Sequence, residues 1–174
     1  MPTDFSTLEM GACNVSFKGT DLGLTKGGVE VEFATEVANV NADQFGDSVI
    51  DQYIKGRSIK VKVPMAERDL TKFAAVFPGS TLVTGAGGAK KLVVDSAVGT
   101  SLRALAGILI LHPSAVATAD KSKDLVIPLA MSKGDMSFAF KHDDQRVYML
   151  EFEGYTDLTN GDLFVLGDPA TTAV

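Results

Sequence analysis

The 174-residue sequence predicts a mainly β protein with one packed helix, in a single domain over residues 1–174. Two patterns lead there. Apolar and polar residues alternate with period two along much of the chain, as in strands with one dry and one wet face, and only one stretch has helical spacing. A chain this long buries a core without cross-links, and its only cysteine, Cys13, reads as a small buried hydrophobe beside a strand.

Taken in order, "ACNVSFKG" and "TDLGLTKGG" read as short strands around turns at Gly19 and Gly27-Gly28. In "VEVEFATEV", Val29, Val31 and Phe33 point one way and Glu30, Glu32 and Ala34 the other. In "SIKVKVP", Ile59, Val61 and Val63 oppose Lys60 and Lys62. The stretch "ERDLTKFAAVFPG" carries the helix, over about residues 69–77. Leu70, Phe73, Ala74 and Phe77 form its apolar stripe, Asp69 its N-cap and Pro78-Gly79 its stop.

"AGILILHPS" and "DLVIPLAM" are apolar on both faces, as in strands covered twice. Pro128 donates nothing to a ladder, so its strand is expected at an edge or at a bulge. "DMSFAFKH" reads as the first arm of a hairpin that turns at "HDDQ" into a strand from Arg146. In that strand Tyr148, Leu150 and Phe152 oppose Met149, Glu151 and Glu153. The tail, residues 167–174, is small and polar enough to be loose in a lone subunit.

No run of eighteen apolar residues is present and the start "MPTDFSTLEMGAC" has no signal-peptide pattern, so a soluble protein made in a cytoplasm is expected. A net charge of -6 argues against a protein that grips nucleic acid. The charge is unevenly placed. Glu30, Glu32, Glu36, Asp43, Asp47 and Asp51 crowd one segment, and Lys55, Arg57, Lys60, Lys62, Arg68 and Lys72 the next. Segments of opposite sign pair within a sheet or between identical subunits.

Three motifs invite chemistry. "FGDSV", Phe45 to Val49, resembles the nucleophile block of serine esterases and makes Ser48 a candidate. That chemistry needs a buried strand leading in and an Asp-oriented His, whereas "ANVNADQ" precedes the serine and Leu109 and Ala139 stand three before His112 and His142. "LVTGAGGAKK" imitates a phosphate loop but runs into the strand-like "KKLVVDS", so a loop between strands is expected. Asp43, Asp47 and Asp51 are spaced for one helix face but miss the alternation of a calcium loop, and His142-Asp143-Asp144 reads as a hairpin turn. No catalytic, cofactor-binding or metal site is therefore assigned, and no cofactor is expected.

The string from Val29 to Glu67 runs through an acidic strand, a long loop over about residues 38–56, a basic strand and a helix. Its phrases resemble the major tail tube proteins of long-tailed bacteriophages. The matching residues are Gly27 to Val31, Asp43 to Asp47, Asp51, Tyr53, and Val61 to Glu67; later strands agree only in general character.

The resemblance implies a β-sandwich or partial barrel with one packed helix, a tail-tube-like fold, assembled as homohexameric rings stacked into a tube. Genome DNA passes through such a tube without specific binding, and the implied partners are further copies, a tape-measure protein, a tail terminator and distal tail or baseplate proteins. Its implied place is the virion tail, made in the host bacterial cytoplasm, with no membrane partner and no enzymatic activity. The residue pattern agrees independently. Glu30, Glu32, Lys60, Lys62, Glu151 and Glu153 are lumen-facing candidates, because a mostly acidic wet face repels phosphate. The resemblance also implies that the long loop reaches the adjacent ring, which makes Asp43, Gln44, Phe45, Gly46, Asp47, Val49, Ile50, Asp51 and Tyr53 the expected contact between rings. Competing readings are the inner tube of a contractile tail, tail-like bacteriocin or secretion apparatus, a small-ligand β-barrel, and an esterase using Ser48.

Overall fold

The computed structural model describes residues 10–172 and is mainly β, one large antiparallel sheet with one helix. Ten strands are named in chain order: β1 (Cys13–Phe17), β2 (Thr20–Asp21), β3 (Glu30–Val40), β4 (Asp51–Met65), β5 (Ser80–Thr84), β6 (Lys90–Val94), β7 (Gly107–Pro113), β8 (Leu125–Ser137), β9 (Tyr148–Gly154) and β10 (Val165–Leu166). The helix α1 (Leu70–Val76) follows β4. The large sheet runs β2-β1-β7-β8-β9-β4-β3, with β10 added to β8, and β5-β6 form a separate hairpin.

Phe17 of β1 and Phe152 of β9 touch with ring centroids 5.2 Å apart, although β7 and β8 lie between their strands. The sheet is therefore strongly curled, a partial barrel whose concave side holds the core. Alternation places Ile59, Val61 and Val63 of β4 and Tyr148, Leu150 and Phe152 of β9 in that core, as their pattern predicts. Helix α1 covers it through Phe73, whose ring meets Tyr148 edge-on at 5.2 Å. The Asp69 carboxylate caps the helix by accepting from the Thr71 N–H at 2.8 Å, and this bond holds its pKa below the usual carboxylate range. Phe77 closes the other end just before Pro78-Gly79.

Several boundaries differ from the sequence expectation. The long loop is mostly hairpin: β3 continues to Val40, β4 begins at Asp51, and Val40 pairs with Asp51. The β-branched and aromatic residues Val37, Val40, Tyr53 and Ile54 favour a ladder over an irregular loop. No helix stacks the aspartates: Asp43 opens a 3-10 turn that ends at Gly46 (φ 61), Asp47 follows it, and Asp51 starts β4. "DLVIPLAM" and the start of "DMSFAF" are one strand, β8, which ends at Ser137, and β9 starts at Tyr148. Pro128 sits beside the register shift between β8 and β7 in a central strand, so its bulge removes the need for an edge. "LVTGAGGAKK" spans β5, a turn over Ala86–Gly88 and the start of β6, a loop between strands as expected. The N-terminal segment read for targeting falls largely outside the described residues, as do the last two residues of the tail. No helix among those described is long and apolar enough to cross a membrane.

Two substitutions test the curled core. Phe152→Ala should cost about 3–5 kcal/mol in denaturant unfolding. Gly154→Ala drives a methyl group into Ile59 and Ile127 and should cost about 1–3 kcal/mol, while Gly56→Ala, with open space at its Cβ, stays close to the parent.

Candidate functional site: a charged sheet face and a projecting hairpin

The register of β3, β4 and β9 brings all six lumen-facing candidates onto one face. Glu30 stands opposite Lys62, which stands opposite Glu151; Glu32 stands opposite Lys60, which stands opposite Glu153. Residues directly across an antiparallel pair share a face, so two rows of Glu-Lys-Glu cross three strands. Val31, Val61 and Phe152 occupy the register position between these rows on the other face.

Not every facing pair forms an ion pair. Lys62 meets Glu30 at 3.6 Å, whereas Lys60 lies 3.8 Å from both Glu151 and Glu153 on the opposite side from Glu32. Lys60 thus pairs with β9 rather than with Glu32 across β3, because β9 supplies two carboxylates against one. Lys133, which comes from the irregular part of β8, donates to Glu153 at 2.6 Å, and this hydrogen bond raises the lysine pKa. With Lys133 the patch holds four carboxylates and three ammonium groups, so it is mildly acidic rather than strongly so. These pairs are half exposed and each is worth about 0–1 kcal/mol, so they set the charge pattern more than the stability.

Strand β3 has β4 on one side and no described strand on the other. Its Val31 and Phe33 face the core side but remain nearly half exposed, because the core ends at β4. Phe33 gains one edge-to-face contact at 5.1 Å with Phe164. The expectation that Val29, Val31 and Phe33 are covered within the subunit therefore holds only in part.

Beyond Glu36 the β3–β4 ladder carries a bulge, and the hairpin leaves the body of the subunit. This arm gathers the predicted contact residues. Phe45, Val49, Ile50, Tyr53 and Ile54 are all exposed, Phe45 at 67% and Tyr53 at 63%. Gln44 and Gly46 lie in the tip beside Asp43 and Asp47, and neither of these two carboxylates has a hydrogen-bond or ion-pair partner among the described side chains. Asp51 accepts only from the neighbouring Gln52 N–H. The hairpin tip thus exposes a run of apolar side chains beside unpaired acids.

Ser48 lies in the same tip, exposed, with its N–H directed at the Phe45 carbonyl (3.4 Å). The tertiary structure supplies the Asp–His contact that the sequence spacing does not, but elsewhere. His112 and buried Asp124 meet at 2.6 Å, at the β7–β8 end of the sheet, with β8 and β9 between β7 and β4. The other ring nitrogen faces the Val116 carbonyl at 3.3 Å rather than a hydroxyl or thiol. Both nitrogens thus face acceptors, an arrangement satisfied by the imidazolium. The register Leu111↔Leu125 makes this contact the next step along the ladder, the one signal by which the sequence could have found it. Among the described residues, no group of three or more His, Cys, Asp or Glu is placed to hold a metal ion.

No protein-family model matches the chain, and no curated protein matches it.

The Asp124 hydrogen bond, opposed by partial desolvation, raises the His112 pKa. A raised folded-state value means that the stabilisation is fully present below the ordinary histidine pKa of about 6.5 and is lost as pH rises through the folded value. Asp124→Asn should move the His112 NMR titration down toward the ordinary value and flatten the pH dependence of stability across that window.

Proposed function

We propose that this protein is a structural self-assembly subunit, the tail tube protein of a long-tailed bacteriophage, which stacks as hexameric rings into a conduit for DNA. The observation that carries the reading is the projecting β3–β4 arm. It exposes Phe45, Val49, Ile50, Tyr53 and Ile54 beside the unpaired Asp43 and Asp47, and no described element of the same subunit covers them. A lone soluble chain gains nothing from such an arm, whereas a subunit that inserts it into a neighbouring ring buries it.

The charged face fits the same role. Rows of Glu and Lys with a small acidic excess leave a wet surface that neither binds phosphate tightly nor presents an apolar wall to a passing duplex. The open outer edge of β3 is closed when identical subunits associate around a ring. The protein acts by binding its own copies and the other tail components, resides in the virion tail, and performs no reaction of its own.

Negative-stain microscopy of the purified protein, and of virions labelled with an antibody to it, tests the reading. Stacked rings or tubes are expected; a strict monomer absent from virions overturns it. Deleting Asp43 to Gln52 should abolish stacking while leaving the circular dichroism of the folded subunit intact. Glu30→Lys with Glu32→Lys should leave tubes assembling but impair DNA ejection, and unchanged ejection would count against a lumen position for β3.

A further inference from the structure

At the base of the subunit lies a cleft of about 640 Å³ between α1, β6 and the β8–β9 connection. Its walls are apolar, with Leu70, Leu92, Met136 and Phe138 among them, yet it also holds two arginines, Arg68 and Arg146. The Arg146 guanidinium stacks on Phe140 with its carbon 3.7 Å from the ring centroid. Its Nε is buried and has no hydrogen-bond partner among the described residues. Among the described residues neither arginine forms an ion pair, and the Arg146 Nη1 reaches only the Tyr148 hydroxyl, at 3.5 Å. A buried cationic donor without an acceptor is costly, and the cost is relieved when a carboxylate arrives.

The same chain presents a segment of complementary chemistry. The Asn41–Ile50 tip alternates unpaired acids, Asp43 and Asp47, with exposed apolar side chains, Phe45, Val49 and Ile50. It cannot reach the cleft of its own subunit. Strand β4 leads from the tip at Asp51 to Met65, and Met65 pairs with Tyr148, which lines the cleft. Tip and cleft are thus separated by the length of β4, roughly 45 Å at about 3.3 Å per residue.

We propose that this cleft is the receptor for the β3–β4 tip of a second copy, with Phe45 seated against its apolar wall and the tip carboxylates satisfying Arg146 and Arg68. The inference rests on the assembly reading for its partner, and assigns the acceptor site that reading leaves open. One tip and one cleft at opposite ends make the contact head-to-tail, so each bound copy offers a fresh tip to the next and association propagates along the hairpin axis.

The test uses two silenced subunits in a Cys13→Ser background. One carries Phe45→Glu and Asp47→Lys in the tip and keeps its cleft; the other carries Arg146→Glu in the cleft and keeps its tip. Mixed, they should form a 1:1 heterodimer by sedimentation velocity that neither forms alone. Adding Arg146→Glu to the first subunit should weaken it by about 30-fold or more. Phe45→Cys on one intact copy and Leu92→Cys on another should give an intermolecular disulfide, a readout that side-by-side sheet association does not produce. Should Arg146→Glu unfold the subunit, Arg146→Gln with Leu92→Glu serves in its place. Absence of both heterodimer and disulfide, or a heterodimer indifferent to the cleft substitution, overturns the proposal. Tubes without the disulfide would leave the tail-tube reading standing and this receptor wrong; a tip–cleft heterodimer without tubes would do the reverse.

Discussion

The structure depends on one strand with two neighbours of very different standing. Strand β4 runs for 15 residues; Lys60 to Lys62 are paired on both sides, to β9 and to β3, and Val63 to Met65 continue on β9. Ile59, Val61 and Val63 form the floor of the core. Its first half pairs with β3 alone, so the same continuous ladder that anchors the arm in the core also carries it beyond the core's edge. The arm needs no packing of its own because backbone pairing and the anchored half hold its direction. Its apolar side chains, Phe45, Val49, Ile50, Tyr53 and Ile54, stay exposed in the subunit.

The curl of the sheet decides which faces are wet. Where Phe17 closes on Phe152 the concave side is dry, and the opposite side of β3, β4 and β9 is left to alternating Glu and Lys. Lysines between two rows of carboxylates soften the acidic field without reversing it. A surface of this kind holds a phosphate weakly, because no arginine fork or helix N-terminus is present in the rows.

Acid and base are also sorted along the molecule. Unpaired aspartates sit at the tip of the arm, and arginines without ion pairs sit in the apolar cleft at the other end of β4. Elsewhere Lys72 pairs with Glu67, Lys26 with Asp144 and His112 with Asp124. The His112–Asp124 contact, for all its likeness to a catalytic pair, faces a carbonyl and secures the β7–β8 end of the sheet.

The sequence by itself determined the mainly β class, the core-facing rows of β4 and β9, the bounds of α1 with its Asp69 cap, and the sidedness of Glu30, Glu32, Lys60 and Lys62. These follow from local periodicity and capping, which act over a few residues. It misjudged the reach of β3 and β4, because Val40, Tyr53 and Ile54 commit to a ladder only when the partner strand is in register, a condition that local pattern does not express. The pairing of Lys60 with β9 rather than Glu32, the meeting of His112 with Asp124 and the clustering of Arg68 and Arg146 in one apolar cleft were decided by the tertiary structure alone, since each depends on which distant strands the curl of the sheet makes neighbours.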